Sequence, residues 1–298
     1  MTELLPASTR MGRVSLDVAD LDALTVFYRD VLLLDVLAER PGEVDLGRAG
    51  QPLVTLRHRP DLPKGERRSA GLFHTALLHP DQASLAATLA SVAVHSPQLY
   101  TGSGDHLVSQ AFYLDDPEGN GVELYWDRPR TEWSWRDGRV VMDTLPLDPN
   151  AFIGDHLTDT ARNHLATAAD RRGVLAGLDG TVGHVHLKVG DAQRAKQFYV
   201  GLLGFELTAE VPGAVFVSAG GYHHHMAMNT WRSAGVGLRA PGLGLGRVDI
   251  ALPADSDVAR AAARLRAAGT QLRDTGATVE FDDPWGNLVQ LSASHNAV

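Results

Sequence analysis

Cysteine is absent from all 298 residues. That excludes disulfides, a thiolate nucleophile and any thiolate-held metal, so a metal here must rest on histidine and carboxylate. Basic charge is also in short supply, with 27 Lys and Arg against 36 Asp and Glu and a formal net charge of −9. A chain with that balance lacks the electrostatic footprint of a nucleic-acid or anionic-membrane binder. No stretch approaches the roughly 18 uninterrupted apolar residues of a spanning helix. The start, "MTELLPASTR", has neither the basic opening nor the apolar run of a signal peptide. The expectation is a cytoplasmic protein that engages neither nucleic acid nor membrane. The length suits two domains with ample core.

The chain is built from an internal repeat. "GRVSLDVADLDALTVFYRDVLLLDVLAE", from Gly12, returns as "GHVHLKVGDAQRAKQFYVGLLGFELTAE", from Gly183, so that Phe27-Tyr28 meets Phe198-Tyr199. Each copy reads as an alternating strand, an Asp helix cap, an amphipathic helix and a further strand. A second kind of segment runs from "FHTALLHP" to "DDPEGNGVELYW" and returns as "VDIALPADSDVARAAARLRAAG" to "DDPWGNLVQLSA". The turn in "DPEGN" suits a hairpin, Pro fixing φ while Gly and Asn accept positive φ. The predicted fold class is therefore α+β, with four βαβββ units starting near residues 12, 71, 183 and 247. They form two paired domains, 1–128 and 180–298. Residues 129–179 match no unit and are expected to be a linker with a helix near 149–171 that covers the sheets.

Paired units of this kind can curl into a U-shaped cleft with side chains pointing in from first and last strands. Unit two offers His74 on its first strand and Glu123 on its last, and unit three offers His184 on its first. Two histidines and one carboxylate make the facial triad that holds non-haem Fe(II) and leaves positions open for substrate and oxygen. Units one and four carry Arg13, Asp249 or Val248, and Gln290 at the corresponding places, so their cleft is expected to be inert. Each residue alone has a structural explanation, as a core histidine or a solvent-facing carboxylate. Their equivalent places in a repeated unit argue for a ligand set. His58, His79, His95, His156, His164 and His295 belong to no constellation.

The stretch "GDHLVSQAFYLDDPEGNGVELYW" then carries a resemblance. A Gly is followed by His106, Phe112-Tyr113, Asp116-Pro117, Gly119 and Glu123 at the spacing of the type I extradiol ring-cleaving dioxygenases. These are catechol 2,3-dioxygenase-like members of the vicinal oxygen chelate superfamily, and the superfamily resemblance spans all four units. It implies the glyoxalase/extradiol dioxygenase fold and extradiol cleavage of a catechol-type diol with O2 at mononuclear Fe(II), Mn(II) being an alternative. Glu123, His74 and His184 would hold the metal, and Tyr113 and His106 would stand beside substrate and oxygen. The family's catalytic histidine falls in "GGYHHHMAMNTW". Alignment of its His-His-x-apolar-Ala-apolar pattern gives His224, and a slip of one residue gives His225. Phe112, Tyr125, Trp126 and Trp231 are expected to dry the pocket, with Phe112, Trp231 and His225 against the substrate. A homo-oligomer is expected. The ligand order His, Glu, His departs from the family's usual His, His, Glu, so the pairing of units two and three is an inference. Two further functions fit the same fold: a glyoxalase-like metal-dependent isomerase or transferase, and a metal-free small-molecule binding or resistance protein.

Overall fold

The computed structural model describes residues 3–66, 68–167 and 170–294; His295 lies outside them. Unit one comprises β1 (Arg10–Val18), α1 (Leu21–Val26), β2 (Asp35–Arg40), β3 (Glu43–Arg48) and β4 (Gln51–His58). Unit two comprises β5 (Gly71–Leu78), α2 (Gln82–His95), β6 (Tyr100–Asp105), β7 (Ser109–Asp115) and β8 (Gly121–Asp127). The connecting segment holds β9 (Trp135–Arg136), β10 (Arg139–Val140), α3 (Pro149–His156) and α4 (Asp159–Thr167). Unit three follows with β11 (Thr181–Lys188), α5 (Ala192–Lys196), β12 (Glu206–Val211), β13 (Ala214–Ser218) and β14 (Met226–Asn229). Unit four has β15 (Gly244–Leu252), α6 (Asp255–Ala267), β16 (Leu272–Asp274), β17 (Thr278–Asp282) and β18 (Leu288–Ala293).

The units pair across the halves of the chain. One eight-stranded sheet runs β16-β17-β18-β15-β1-β4-β3-β2, joining units four and one, and the other runs β12-β13-β14-β11-β5-β8-β7-β6, joining units three and two. The joins are antiparallel, β1 with β15 and β11 with β5. Pairing of units two and three thus follows the sequence expectation. Among the described residues, no helix is long and apolar enough to cross a membrane.

The repeated residues turn out to be fasteners. Asp20 and Asp191 cap α1 and α5, accepting from Ala23 and Arg194 N–H. Both helices then widen into a π-turn that buries Tyr28 and Tyr199. Tyr28 Oη donates to Asp116 at 3.2 Å and Tyr199 Oη to Asp283 at 3.1 Å. Each Asp also takes the amide of the Asn four residues on, at 2.8 and 2.9 Å. Burial raises the carboxyl of Asp116 to about 6 against the lowering pull of these donors. The Phe-Tyr and Asp-Pro signatures therefore tie unit one to unit two and unit three to unit four.

The single helix expected near 149–171 is two. Asp148 caps α3 with Pro149 in its first turn, α3 ends at Leu157 in extended geometry, and Thr158 Oγ1 accepts from Ala161 N–H to start α4. The helix breaks because "LTDTA" carries its own start signal.

Candidate metal centre

Alternation along each strand decides what the second sheet presents inward. On β8 the inner face carries Glu123, Tyr125 and Asp127, while Leu124 and Trp126 turn to the helix layer. On β11 the inner residues are His184, His186 and Lys188, with Val185 and Leu187 in the core. On β5, the ladder to β11 steps from His74 to Leu72, a bulge at Phe73, and both Phe73 and His74 line the cleft. Tyr113 stands directly across from Glu123 on β7.

His74, Glu123 and His184 converge. One ligand atom from each lies within 4.8 Å of the others, and all three residues are buried. His184 Nε2 is 3.0 Å from Glu123 Oε2 and His74 Nε2 is 2.9 Å from the same oxygen. His74 Nε2 approaches in a direction that makes no hydrogen bond, so it is a buried nitrogen without a hydrogen-bond partner. Two imidazoles crowding one oxygen is poor hydrogen bonding and good coordination geometry: donors about 2.1 Å from one ion and at right angles are about 3.0 Å apart. Burial opposes ionisation of Glu123, but the two imidazoles outweigh it and hold the carboxyl well below its usual range. Burial likewise keeps His184 neutral, its pKa lowered despite Glu123. An ionised carboxylate and neutral imidazole are the forms a divalent cation needs. The residues fit a metal, and the 2-His-1-carboxylate donor set matches Fe(II) or Mn(II).

The other predicted site residues divide by face. His106 Nδ1 faces the Asp143 carbonyl at 3.0 Å, which can only accept, so Nδ1 carries the proton and Nε2 accepts from Tyr113 Oη at 2.7 Å. His224 lines the cleft with its ring 4.1 Å from that of His184. Burial, then His184 and His223, lowers its pKa well below the usual value. Trp231 lines the cleft beside Phe73 and His186, half exposed. Phe112 does not face the cleft. It pairs with Leu124 on the outer face and stacks on Phe152 of α3 at 4.8 Å, and Trp126 packs against the same core. His225 also turns away, its Nδ1 accepting from Ala219 N–H and its ring against Tyr222 and Phe205. The period-2 rule applied to "QAFYL" separates Phe112 from Tyr113, whereas His224 and His225 lie in the bends just before β14 and face apart there.

Three features were missed. Asp127 Oδ1 accepts from His223 Nε2 at 2.8 Å, His223 Nδ1 meets His224 Nδ1 at 2.7 Å, and Tyr222 Oη donates to Asp127 at 2.8 Å. Asp127 lies two strand steps beyond Glu123, which was the available signal. His186 lines the cleft with Nε2 bonded to Asn229 at 2.9 Å, and its place two residues after His184 was legible. Asp143, from the connecting segment, had no signal.

At the matching places of the other sheet, Arg13 lies 3.4 Å from both Asp45 and Asp249, and Arg247 pairs with Asp249 at 2.6 Å and Glu280 at 3.1 Å. A guanidinium stands where His184 stands in the metal cluster, and Gln290 where Glu123 stands.

A doubled βαβββ fold with a buried His-Glu-His cluster in one of two related clefts defines a class of protein. The chain belongs to the glyoxalase/bleomycin resistance protein/dioxygenase superfamily, whose family model matches residues 10–124 and 181–291. It is 35% identical over 288 residues to a catechol-2,3-dioxygenase of Bacillus subtilis (strain 168), covering 93% of this chain and 94% of that protein. Two solved structures share the fold. A Bacillus subtilis subsp. subtilis str. 168 protein superposes with a TM-score of 0.64 at 13% identity, over 99% of this chain and 87% of its own. Glyoxalase I of Zea mays gives 0.58 at 18% identity, over 96% and 92%.

Proposed function

We propose that the protein is an Fe(II)-dependent extradiol dioxygenase that opens the ring of a catechol-type diol with O2. The observation that carries this reading is the buried convergence of His74, Glu123 and His184. The 35% identity to a catechol-2,3-dioxygenase across nearly the whole chain supports it independently. Bound Fe(II) supplies open positions for both reactants and the electronic coupling between them.

The chain's own groups handle protons and water. With the His223 proton on Nε2, donated to Asp127, its Nδ1 accepts and His224 donates through Nδ1. That leaves His224 Nε2 bare, the atom that takes a hydroxyl proton from the diol and later returns it to an oxygen of the product. Asp127 and His223 orient this imidazole and stabilise it once protonated, as the carboxylate does in a Ser-His-Asp triad. Tyr113, its hydroxyl kept protonated by burial and by Glu123, donates to His106 Nε2, so an Oη lone pair is left to accept from a substrate hydroxyl and fix that oxygen. Phe73, Phe216 and Trp231 shield the reacting ring from water.

The test is anaerobic reconstitution with Fe(II), then a catechol panel in air, following oxygen uptake and yellow ring-opened product. One O2 consumed per diol is expected. A fully iron-loaded protein that consumes no oxygen with any diol would overturn the reading.

A further inference from the structure

Beyond the metal cluster the inner face of β11 continues through His186 to Lys188, and the character of the wall changes along it. Around His186 it is aromatic: the His186 ring lies 4.9 Å from Phe73 and 5.5 Å from Trp231, and those two are 5.6 Å apart. Past that patch it is basic, with Lys188, Arg232 and Arg239 all lining the same cleft. The three cations are close enough that, after burial, Arg232 and Arg239 are what lower the Lys188 pKa.

Carboxylates line the cleft as well, Asp115, Glu118 and Glu210 among them. Among the described residues, none of the three cations is in an ion pair with a carboxylate. Arg239 is otherwise engaged, donating Nη2 to the Leu245 carbonyl at 2.7 Å and facing Asp17, Asp283 and Asp282 at longer range. Asp115, itself exposed, senses Arg232 electrostatically without forming an ion pair with it. Lys188, half-buried, therefore holds positive charge without an ion-pair partner, and the exposed Arg232 adds a second cation beside it, an arrangement that favours an anion.

The dimensions suit a ligand that spans both ends. Four residues along a strand cover about 13 Å; the His184 imidazole and the lysine stem take up part of this, leaving space for one aromatic ring and a short side chain. The cleft, about 2310 Å³, exceeds the roughly 300–1,000 Å³ of an ordinary small-molecule site.

We propose that the substrate is a catechol bearing a carboxylate on a short side chain, the carboxylate held by Lys188 and Arg232 and the ring resting on the aromatic patch of Phe73, His186 and Trp231. This rests on the dioxygenase reading above and narrows its substrate class.

The experiment compares catechol, 3-(3,4-dihydroxyphenyl)propanoate and its methyl ester on the Fe(II)-loaded protein, by calorimetric binding without oxygen and by oxygen uptake in air. The acid should bind about 10- to 100-fold more tightly than the ester, the range for a charge-assisted contact. Added salt should narrow the gap, and Lys188→Glu should reverse it. Equal binding of acid and ester, with oxygen uptake on catechol, would overturn this inference and leave the dioxygenase reading standing. Tighter binding of the acid with no oxygen uptake on any probe would overturn the dioxygenase reading, and the substrate assignment with it, and leave only an anion site at Lys188 and Arg232. A preference for the acid that survives in both Lys188→Glu and Arg232→Glu would assign the anion to other residues and overturn the proposal.

Discussion

Gly183, the residue before a metal-cluster histidine, can be tested by adding a single methyl group. The β11–β5 register places it at a bulge between Val182 and His184. A Cβ there would lie 1.6 Å from Tyr125 Oη, 2.7 Å from its Cζ and 3.2 Å from Leu78 Cβ. Ordinary contact begins near 3.4 Å, so the hydroxyl would have to move about 1.8 Å (3.4 − 1.6). Tyr125 is fully buried and its Oη is bonded to Tyr222 Oη at 2.7 Å. Overpacking costs about 1–3 kcal/mol and a buried hydroxyl left unpaired about 1–3 more, so Gly183→Ala should lose about 2–6 kcal/mol. Because the Tyr125 ring lies 4.8 Å from that of His184, iron affinity should fall as well. Urea unfolding and iron content per chain measure both effects. Tyr125→Leu in the same chain removes Oη and Cζ, and should recover at least about 1 kcal/mol of the loss as a coupling energy. A Gly183→Ala protein within about 0.5 kcal/mol of the parent and fully iron-loaded would refute the packing argument.

Three further outcomes are expected. His224→Phe should keep its iron and bind catechol yet lose about 10²–10⁴ in turnover, whereas His225→Phe, outside the cleft, should lose stability rather than chemistry; near-normal turnover of His224→Phe would remove it from the mechanism. Asp127→Asn should lower kcat with iron content unchanged, and an unaltered kcat would reduce the Asp127-His223 bonds to packing. The metal-free protein should weaken in mild acid. Burial, aided by Arg48 and by His223 respectively, lowers His79 and His225 to about 3, so each protonates only on unfolding between pH 6.5 and about 3, and stability present above pH 6.5 falls as the pH drops through that window. Asp116, raised to about 6, gains a proton first in the folded chain and offsets part of this, so these three groups together contribute a loss of about 2 kcal/mol from pH 7 to 5.5, to which the lowered His184 and His224 add. Urea midpoints at the two pH values check the sign, and a more stable protein at pH 5.5 would contradict it.

What could be read in the sequence was whatever recurs or alternates. The offset between Gly12 and Gly183 exposed the units, and His74, Glu123 and His184 stood out because the matching places in the other units hold Asp249, Gln290 and Arg13. Strand alternation, applied to the three-histidine run, separated His224 from His225, but the run bends before β14 begins, which is why His223 packs against His224 instead of turning away from it. The same rule, not carried to Phe112 and Trp126, would have turned both toward the helices. Contacts made by folding distant segments together were not legible: Asp143 reaches His106 from a connection that matches no unit, and Tyr28 reaches Asp116 from another sheet. The break between α3 and α4 was legible in principle, since Thr158 is a capping residue inside the expected helix.

The central claim is that one divalent ion is held by His74, Glu123 and His184. Anaerobic equilibrium dialysis against Fe(II), on the parent and on Glu123→Ala, tests it directly. The parent should bind one iron per chain, and the variant, with two imidazoles and no anionic ligand, should lose most of it. One iron per chain in Glu123→Ala, at undiminished affinity, would contradict the assignment.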